Sequence, residues 1–350
     1  MNTYPIKRLT LVTDAWQPQV NGVVTTLFQL VQHLQKTGIE VDVMHPYDYH
    51  FFGLPTYREI PIVWQAKNLE QRIEQFQPDA LHIATEGSLG WRARRWAIKN
   101  KVAFTTAYHT KYPEYLRQRF PIPAKWTYQL LAHFHQAAQR TFVPAQAILT
   151  ELTVRGFNNL VMMSRGVDQT VFNPTQAIEL PYPKPILLYV GRIAVEKNLE
   201  AFLNLPIAGT KLLIGDGPAK LHLQKRYTHA HFIGVKTGQE LAQYYASSDV
   251  MVFPSLTDTF GLVNIEAMAC GTPVAAFPVT GPIDIITHGL NGALSEDLED
   301  AVEEALGLDR DGIAPSVAHY DWSEVSHAFL NHLAFIAPSE QNNDETSNRM

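Results

Sequence analysis

The chain has 350 residues, 46% hydrophobic and 18% charged, which is too apolar for a disordered polypeptide and too mixed for a fibrous one. Its single cysteine, Cys270, excludes an internal disulfide framework and any multi-thiolate zinc or iron–sulfur site. The net charge of −6 conceals an asymmetry, because residues 1–175 carry 18 Lys+Arg against 12 Asp+Glu, whereas residues 176–350 carry 10 against 22.

A basic half joined to an acidic half implies that one lobe meets an anionic surface or substrate. Nucleic acid could be that surface, but no zinc-finger, RNP-like or basic-zipper pattern supports it, and an anionic membrane leaflet or small substrate fits better. The opening MNTYPIKRLTLVTD has no apolar h-region, and no run of roughly 18 apolar residues occurs. The expectation is a cytoplasmic, two-domain protein with no membrane span.

Short apolar runs alternate with amphipathic stretches along the chain. In the first half the strands are predicted at Arg8–Thr13, Glu40–His45, Ala80–Thr85, Ala103–His109, Ala147–Thr150 and Leu160–Ser164. Helices are predicted at Val23–Lys36, Leu69–Phe76, Ser88–Asn100 and Ala124–Arg140. The second half repeats the pattern, with strands at Pro185–Val190, Lys211–Ile214, His231–Ile233, Asp249–Phe253 and Thr272–Ala276. Its helices fall at Leu199–Leu203, Ala219–Thr228, Gly238–Ser247, Leu262–Ala269 and Leu298–Leu306.

Strand–helix alternation in both halves reads as two α/β domains built on parallel sheets. The boundary falls in the proline-rich stretch Phe172–Lys184, giving an N-terminal domain over 1–174 and a C-terminal domain over 175–320. Helical spacing over 321–337 predicts a last helix that packs back on the first domain, and the polar tail 338–350 is expected to be disordered.

The residues that can carry chemistry cluster where strands end. After the predicted strand at Asp249–Phe253, the loop Pro254–Asp258 leads into a helix starting near Gly261. A helix N-terminus offers unsatisfied N–H groups to an anion. Asp258 at its mouth and Glu266 within the helix can reach two sets of sugar hydroxyls. The alternative makes Asp258 a helix N-cap and Glu266 a surface residue.

Arg192 and Lys197 in GRIAVEKN leave another strand's carboxyl end, where open α/β sheets bind ligands. Two cations there can neutralise a diphosphate leaving group, or Lys197 can simply pair with a nearby acid. Gly22 opens a helix after the first strand and would let phosphate oxygens approach the backbone. The turn Gly215-Asp216-Gly217-Pro218 is a weaker phosphate-loop signal, lacking the third glycine of a dinucleotide fingerprint. His109 follows the strand AFTTAY and could orient a substrate. His133 and His135 point to different faces of one helix, and Asp309 and Asp311 form an isolated D-x-D in an acidic turn, so no metal site is expected. The run WRARRWAIKNK supplies Arg92, Arg94, Arg95, Lys99 and Lys101 with Trp91 and Trp96 among them. That pattern suits an anionic membrane interface or, equally, a charged helix face over core tryptophans.

Taken together, these residues resemble the retaining glycosyltransferases of family 4, which have the GT-B fold. The resemblance rests on Gly22, His109 in AYHT, SRGVDQTVFNP over Ser164–Pro174, GRIAVEKN, GDGP, and the block Ser255–Val274. It extends, through the opening VTDAWQPQVNGVVTTL and SRGVD, to the subgroup of GDP-mannose-dependent α-mannosyltransferases and lipid glycosyltransferases. It implies two Rossmann-like domains facing a cleft, with a nucleotide-sugar donor held mainly by the second. Arg192 and Lys197 would then bind the diphosphate and Glu266 the ribose. Asp258, with the backbone of Phe260, Gly261 and Leu262, would hold the transferred sugar. Gly22 would reach the diphosphate from the first domain, and His109 would sit beside the sugar. Two glutamates eight residues apart are usual in this family, and here the first is Asp258. The resemblance further implies transfer with retention, without metal or cofactor, to a lipid-linked or glycan acceptor.

Three other functions would use parts of this pattern. A glycosidase needs two carboxylates but no diphosphate clamp. A nicotinamide oxidoreductase needs a complete glycine fingerprint. A non-catalytic sugar-nucleotide sensor would tolerate loss of Asp258 and Glu266.

Overall fold

The computed structural model describes residues 6–19, 21–54, 57–114 and 123–336. The expected tail 338–350 lies outside the described residues. Two six-stranded, all-parallel sheets form the framework. The first comprises β1 (Arg8–Val12), β2 (Glu40–Met44), β5 (Ala80–Ile83), β6 (Thr105–Ala107), β7 (Arg140–Val143) and β8 (Leu160–Met162), in the order β2-β1-β5-β6-β7-β8. Between β2 and β5, an antiparallel hairpin is made by β3 (His50–Leu54) and β4 (Tyr57–Gln65), with no counterpart in the sequence reading.

The second sheet comprises β9 (Ile186–Val190), β10 (Thr210–Ile214), β11 (His231–Gly234), β12 (Val250–Phe253), β13 (Val274–Ala276) and β14 (Gly292–Leu294). Its order is β11-β10-β9-β12-β13-β14. All five residues of β9, ILLYV, are buried, because a central parallel strand is covered by helices on both faces.

Helices of the first half are α1 (Gly22–Lys36), α2 (Leu69–Phe76), α3 (Ser88–Lys99), α4 (Ala124–His135) and α5 (Gln146–Val154). Those of the second are α6 (Leu199–Leu203), α7 (Lys220–Arg226), α8 (Gly238–Ser247), α9 (Leu262–Ala269), α10 (Pro282–Ile285), α11 (Leu298–Leu306), α12 (Ile313–Ser316) and α13 (Trp322–His332). Helix α1 shows how sequence becomes element. Leu27, Leu30, Val31 and Leu34 recur at helical spacing and are buried, Asn21 caps the start, and Gly38 at φ +88° ends it.

Two predicted elements are corrected. The helix expected over Ala124–Arg140 stops at His135, and Arg140–Val143 is β7. The strand expected at Ala147–Thr150 is part of helix α5, in which Ile148 and Leu152, one turn apart, face the core. A short apolar run fits either period, and the mistaken strand concealed the real one four residues upstream.

Both sheets place their carboxyl edges toward each other. His109 lies just past β6 and Thr259 just past β12, and Thr259 Oγ1 donates to the His109 carbonyl at 2.8 Å. Lys111 Nζ donates to Thr280 Oγ1 at 3.1 Å, and the Ala147 amide to the Asp284 carboxylate at 3.2 Å. One apolar cluster runs through the junction, joining Tyr108 and Ile148 to Phe253 and Phe260. Beyond the second sheet the chain returns to the first, where Trp322, Val325, Phe329 and Leu330 of α13 pack on Leu9, Leu30 and Leu34. Among the described residues no helix is long and apolar enough to cross a membrane.

Candidate active site

In an open parallel sheet the ligand crevice lies at the carboxyl ends of the strands where the connection reverses direction. In the second sheet that point is between β9 and β12. The loops after these two strands carry Arg192, Lys197 and Asp258, and the structure brings the last two together. Lys197 Nζ donates to both Asp258 oxygens, at 2.6 and 2.8 Å. Asn198, in the left-handed conformation at φ +52°, ties the same loops through its amide to the Pro254 carbonyl at 3.1 Å.

The GDGP turn has a different duty from the phosphate loop considered above. It buttresses the Arg192 loop: the Gly191 amide bonds Ile214, the Ile193 amide bonds Asp216, and the Ala219 amide bonds Ile193. A Cβ on Gly215 would stand 1.9 Å from the Gly191 carbonyl oxygen, and one on Gly217 would stand 2.3 Å from that of Ile193. Only glycines permit two backbones to approach so closely. The Arg192 carbonyl itself accepts from the Tyr189 hydroxyl at 2.8 Å.

Asp258 is not the N-cap of α9. That position is Gly261 at φ +89°, where a Cβ would lie 2.6 Å from the Asn264 amide nitrogen. Nor is Glu266 a surface residue: it is buried, and its Oε2 accepts from the Tyr245 hydroxyl at 3.0 Å. Burial pushes its carboxyl up to about 7, against the lowering effect of the Tyr245 hydrogen bond. Phe260 turns its ring into the core edge-on to Tyr320, so only its backbone is available to a ligand, and Leu262 packs partly buried against the same core. Around this loop Ser255 Oγ, Thr257 Oγ1 and both side-chain amide atoms of Asn264 are buried without a hydrogen-bond partner among the described residues. Buried polar groups are seldom left so unless a ligand or water completes them.

The first sheet supplies the opposite wall. Gly22 begins α1, exposed, and a Cβ there would meet nothing within 4 Å, so the fold itself does not require glycine. Asn21 already accepts from the Val23 and Val24 amides at 3.0 Å, which narrows what the helix end offers an anion to the Gly22 amide. His109 is buried against the second domain. Its Nδ1 lies 2.7 Å from Arg165 Nη2, and its Nε2 is buried without a partner among the described residues.

Sequence reasoning passed over several residues that shape this wall. Asp14, two residues past β1, is half-buried and collects the Leu89 and Gly90 amides and the Ser88 hydroxyl, capping α3 and holding the loop that follows β5. Burial raises its pKa, opposed by those hydrogen bonds. Glu86 of that loop meets the fully buried His135 at 3.0 Å. The motif SRGVD divides its work, with Arg165 on His109, Gly166 beneath the Trp322 ring and the Val167 amide bonded to the Tyr320 carbonyl. Motif membership was the available signal for Arg165, whereas its contact joins residues 56 positions apart.

The basic run is corrected. Arg94 is buried and donates to the Phe134 and His133 carbonyls, and Arg92 forms a two-point pair with Glu70. Trp91 packs edge-on to Phe134, and the Trp96 indole N–H donates to Glu74 at 3.1 Å. These side chains knit α2, α3 and α4 together, while Arg95, Lys99 and Lys101 stay exposed. Asp309 and Asp311 form a turn, the Asp311 amide donating to Asp309, and no trio of His, Cys, Asp or Glu among the described residues could hold a metal.

Comparison with known proteins agrees with this arrangement. Residues 20–171 match the family described as Glycosyltransferase Family 4, and residues 184–311 match Glycosyl transferases group 1. The GDP-mannose-dependent alpha-mannosyltransferase of Mycobacterium tuberculosis is 30% identical over 82% of this chain and 83% of its own. The sulfoquinovosyl transferase SQD2 of Arabidopsis thaliana is 33% identical over 89% of this chain and 70% of its own. In structure, the sucrose-phosphate synthase of Thermosynechococcus elongatus superimposes with a TM-score of 0.73 at 20% identity, over 92% of this chain and 97% of that one. Twin parallel sheets joined at their carboxyl edges, with the Lys197–Asp258 junction at the switch point, make this chain a GT-B glycosyltransferase belonging to glycosyltransferase family 4.

Proposed function

We propose that the enzyme moves a hexose, mannose from GDP-mannose, with retention of configuration to a lipid-linked or glycan acceptor at the cytoplasmic face of a membrane. The observation that carries this reading is the contact of Lys197 with Asp258 at 2.6 Å. A nucleotide sugar places a negative diphosphate one glycosidic bond from a hydroxylated ring, and this site places a cation beside a carboxylate. On donor entry Lys197 turns to the diphosphate and Asp258 to the sugar hydroxyls. Glu266 takes the ribose hydroxyls, and the backbone of Phe260, Gly261 and Leu262 takes the sugar. Gly22 allows phosphate oxygens to reach the first amide of α1.

As the C1–O bond breaks, its electron pair goes to the departing phosphate oxygen, where Arg192 and Lys197 stabilise the growing charge. That oxygen takes the proton of the acceptor hydroxyl, whose oxygen bonds C1 on the face the diphosphate leaves. No protein base and no metal are assigned to the step.

Mannose and guanosine are supported by the relatives named as GDP-mannose-dependent mannosyltransferases. A UDP-sugar donor is the second reading, favoured by the sulfoquinovosyl transferase likeness and by Asp258 where glutamate is usual. Exposed Arg95, Lys99 and Lys101 remain available for an anionic lipid surface. Thermal unfolding with GDP, UDP and ADP tests the donor. A ligand at 100 times its Kd stabilises by about 2.7 kcal/mol. A shift with GDP alone supports mannosyl transfer, a shift with UDP alone replaces it by the second reading, and no shift with any nucleotide removes the clamp.

A further inference from the structure

Arg165 is 6% exposed, and its guanidinium makes one hydrogen bond among the described residues, to His109 Nδ1 at 2.7 Å. No carboxylate among those residues pairs with it. Buried cations ordinarily sit against an acid, so an arginine spent on a neutral ring calls for a reason.

The chemistry of the pair leaves a single assignment. A guanidinium has only donors, so Nδ1 of His109 must present its lone pair. Burial first, and the Arg165 charge second, hold the ring well below the usual histidine range, so it is neutral at physiological pH. The one ring hydrogen of His109 therefore sits on Nε2. That nitrogen is buried and meets no acceptor among the described residues. The backbone of His109 is tied to the loop after β12, because its carbonyl accepts from Thr259, the residue between Asp258 and Phe260. A donor of fixed identity thus stands ready beside the loop that receives the sugar.

We infer that Arg165 is a positioning residue: its bond to Nδ1 locks His109 as the Nε2–H tautomer, so that the imidazole donates to an oxygen of the transferred sugar. The inference rests on the glycosyltransferase reading above. Without Arg165 the ring can carry its hydrogen on either nitrogen, and the Nδ1–H form turns a lone pair toward the sugar oxygen, replacing attraction by repulsion.

Two measurements test it. The first needs no turnover: long-range 1H–15N correlation on histidine-labelled protein, with His109 assigned by its loss in His109→Gln. The wild type should show the Nε2–H pattern. The Arg165→Met variant should lose it, and Arg165→Gln, whose amide can still donate to Nδ1, should keep it. The second is kinetic. Arg165→Met should lower kcat about 100-fold, leave nucleotide affinity by calorimetry unchanged, and be largely rescued by Arg165→Gln. A wild-type His109 protonated on Nδ1 would overturn the proposal, as would a folded Arg165→Met enzyme with normal kcat. Should Arg165→Met fail to fold, the wild-type and Arg165→Gln spectra still decide. A wild type that binds nucleotide but transfers from neither GDP-mannose nor a UDP-hexose would defeat the functional reading instead, and leave the tautomer result standing.

Discussion

Lys197 and Asp258 come from loops 61 residues apart in sequence and meet with both carboxylate oxygens within 2.8 Å of one ammonium. Both side chains are mostly shielded, at 16% and 19% exposure. In the proposed function this pair is exchanged for donor contacts on binding. Asp258→Asn should therefore leave a well-folded protein whose kcat/KM falls by about 10²–10³. Asp258→Glu, the residue usual in the family, should keep activity within about tenfold. Steady-state kinetics on both variants, with melting curves as the control for folding, would expose the opposite order.

With Glu266 in its proposed role, donor binding should depend on pH. Its folded carboxyl sits at about 7 against an ordinary 4.5, so between those values the folded protein holds more protons than the unfolded chain. The stability it contributes is complete at the acid end and declines as pH rises through that window. In the proposed binding mode the ribose hydroxyls donate to the carboxylate, so nucleotide affinity should move the other way and strengthen from pH 6 to pH 8. Calorimetry in that range should show the slope for the wild type and a flat profile for Glu266→Gln. A slope preserved in the variant would place the titration elsewhere.

Gly22→Val separates ligand approach from folding. With no protein atom within 4 Å of the new Cβ, stability should change by no more than about 0.5 kcal/mol. The side chain would nonetheless stand where phosphate oxygens approach, raising KM for the donor at least tenfold. An unaffected KM would remove Gly22 from the donor site.

Gly215→Ala tests the buttress. Its Cβ would sit 1.9 Å from the Gly191 oxygen at a backbone φ of +137°, so the loops must part. Denaturant unfolding should record a loss of about 3 kcal/mol. Activity should fall with it, because Arg192 rides on the displaced loop.

The basic surface of α3 can be divided in the same way. Arg94→Ala removes a buried guanidinium from two backbone carbonyls and should cost about 2–4 kcal/mol. Neutralising the exposed Arg95, Lys99 and Lys101 should leave the melting curve alone and reduce sedimentation with anionic vesicles. Binding unchanged by the triple variant would dismiss the patch.

The two-sheet architecture could be read from the chain because periodicity is a local property. Apolar runs such as ILLYV and the helix at Leu262–Ala269 announce themselves within one or two turns. Where the local signal was ambiguous the reading failed. The short run at Ala147–Thr150 fits either period, and the hairpin of β3 and β4 carries exposed Phe51, Phe52 and Trp64 in place of a buried stripe.

The candidate site followed the same division. Loops at strand ends drew attention to Arg192, Lys197, Asp258 and His109, since the end of a parallel strand is a position the pattern reveals. Which of them touch was settled by strand order, which brings β9 beside β12 although β10 and β11 intervene in the chain. The surroundings of Glu266, the partner of His109 and the burial of Arg94 arise from elements packed across tens of residues. Desolvation and pairing depend on what the folded chain places within a few ångströms, so charge state and tautomer belong to the tertiary structure. Residue type and position at strand ends had already made an anionic, hydroxyl-bearing ligand one of the readings, and the family resemblance selected it.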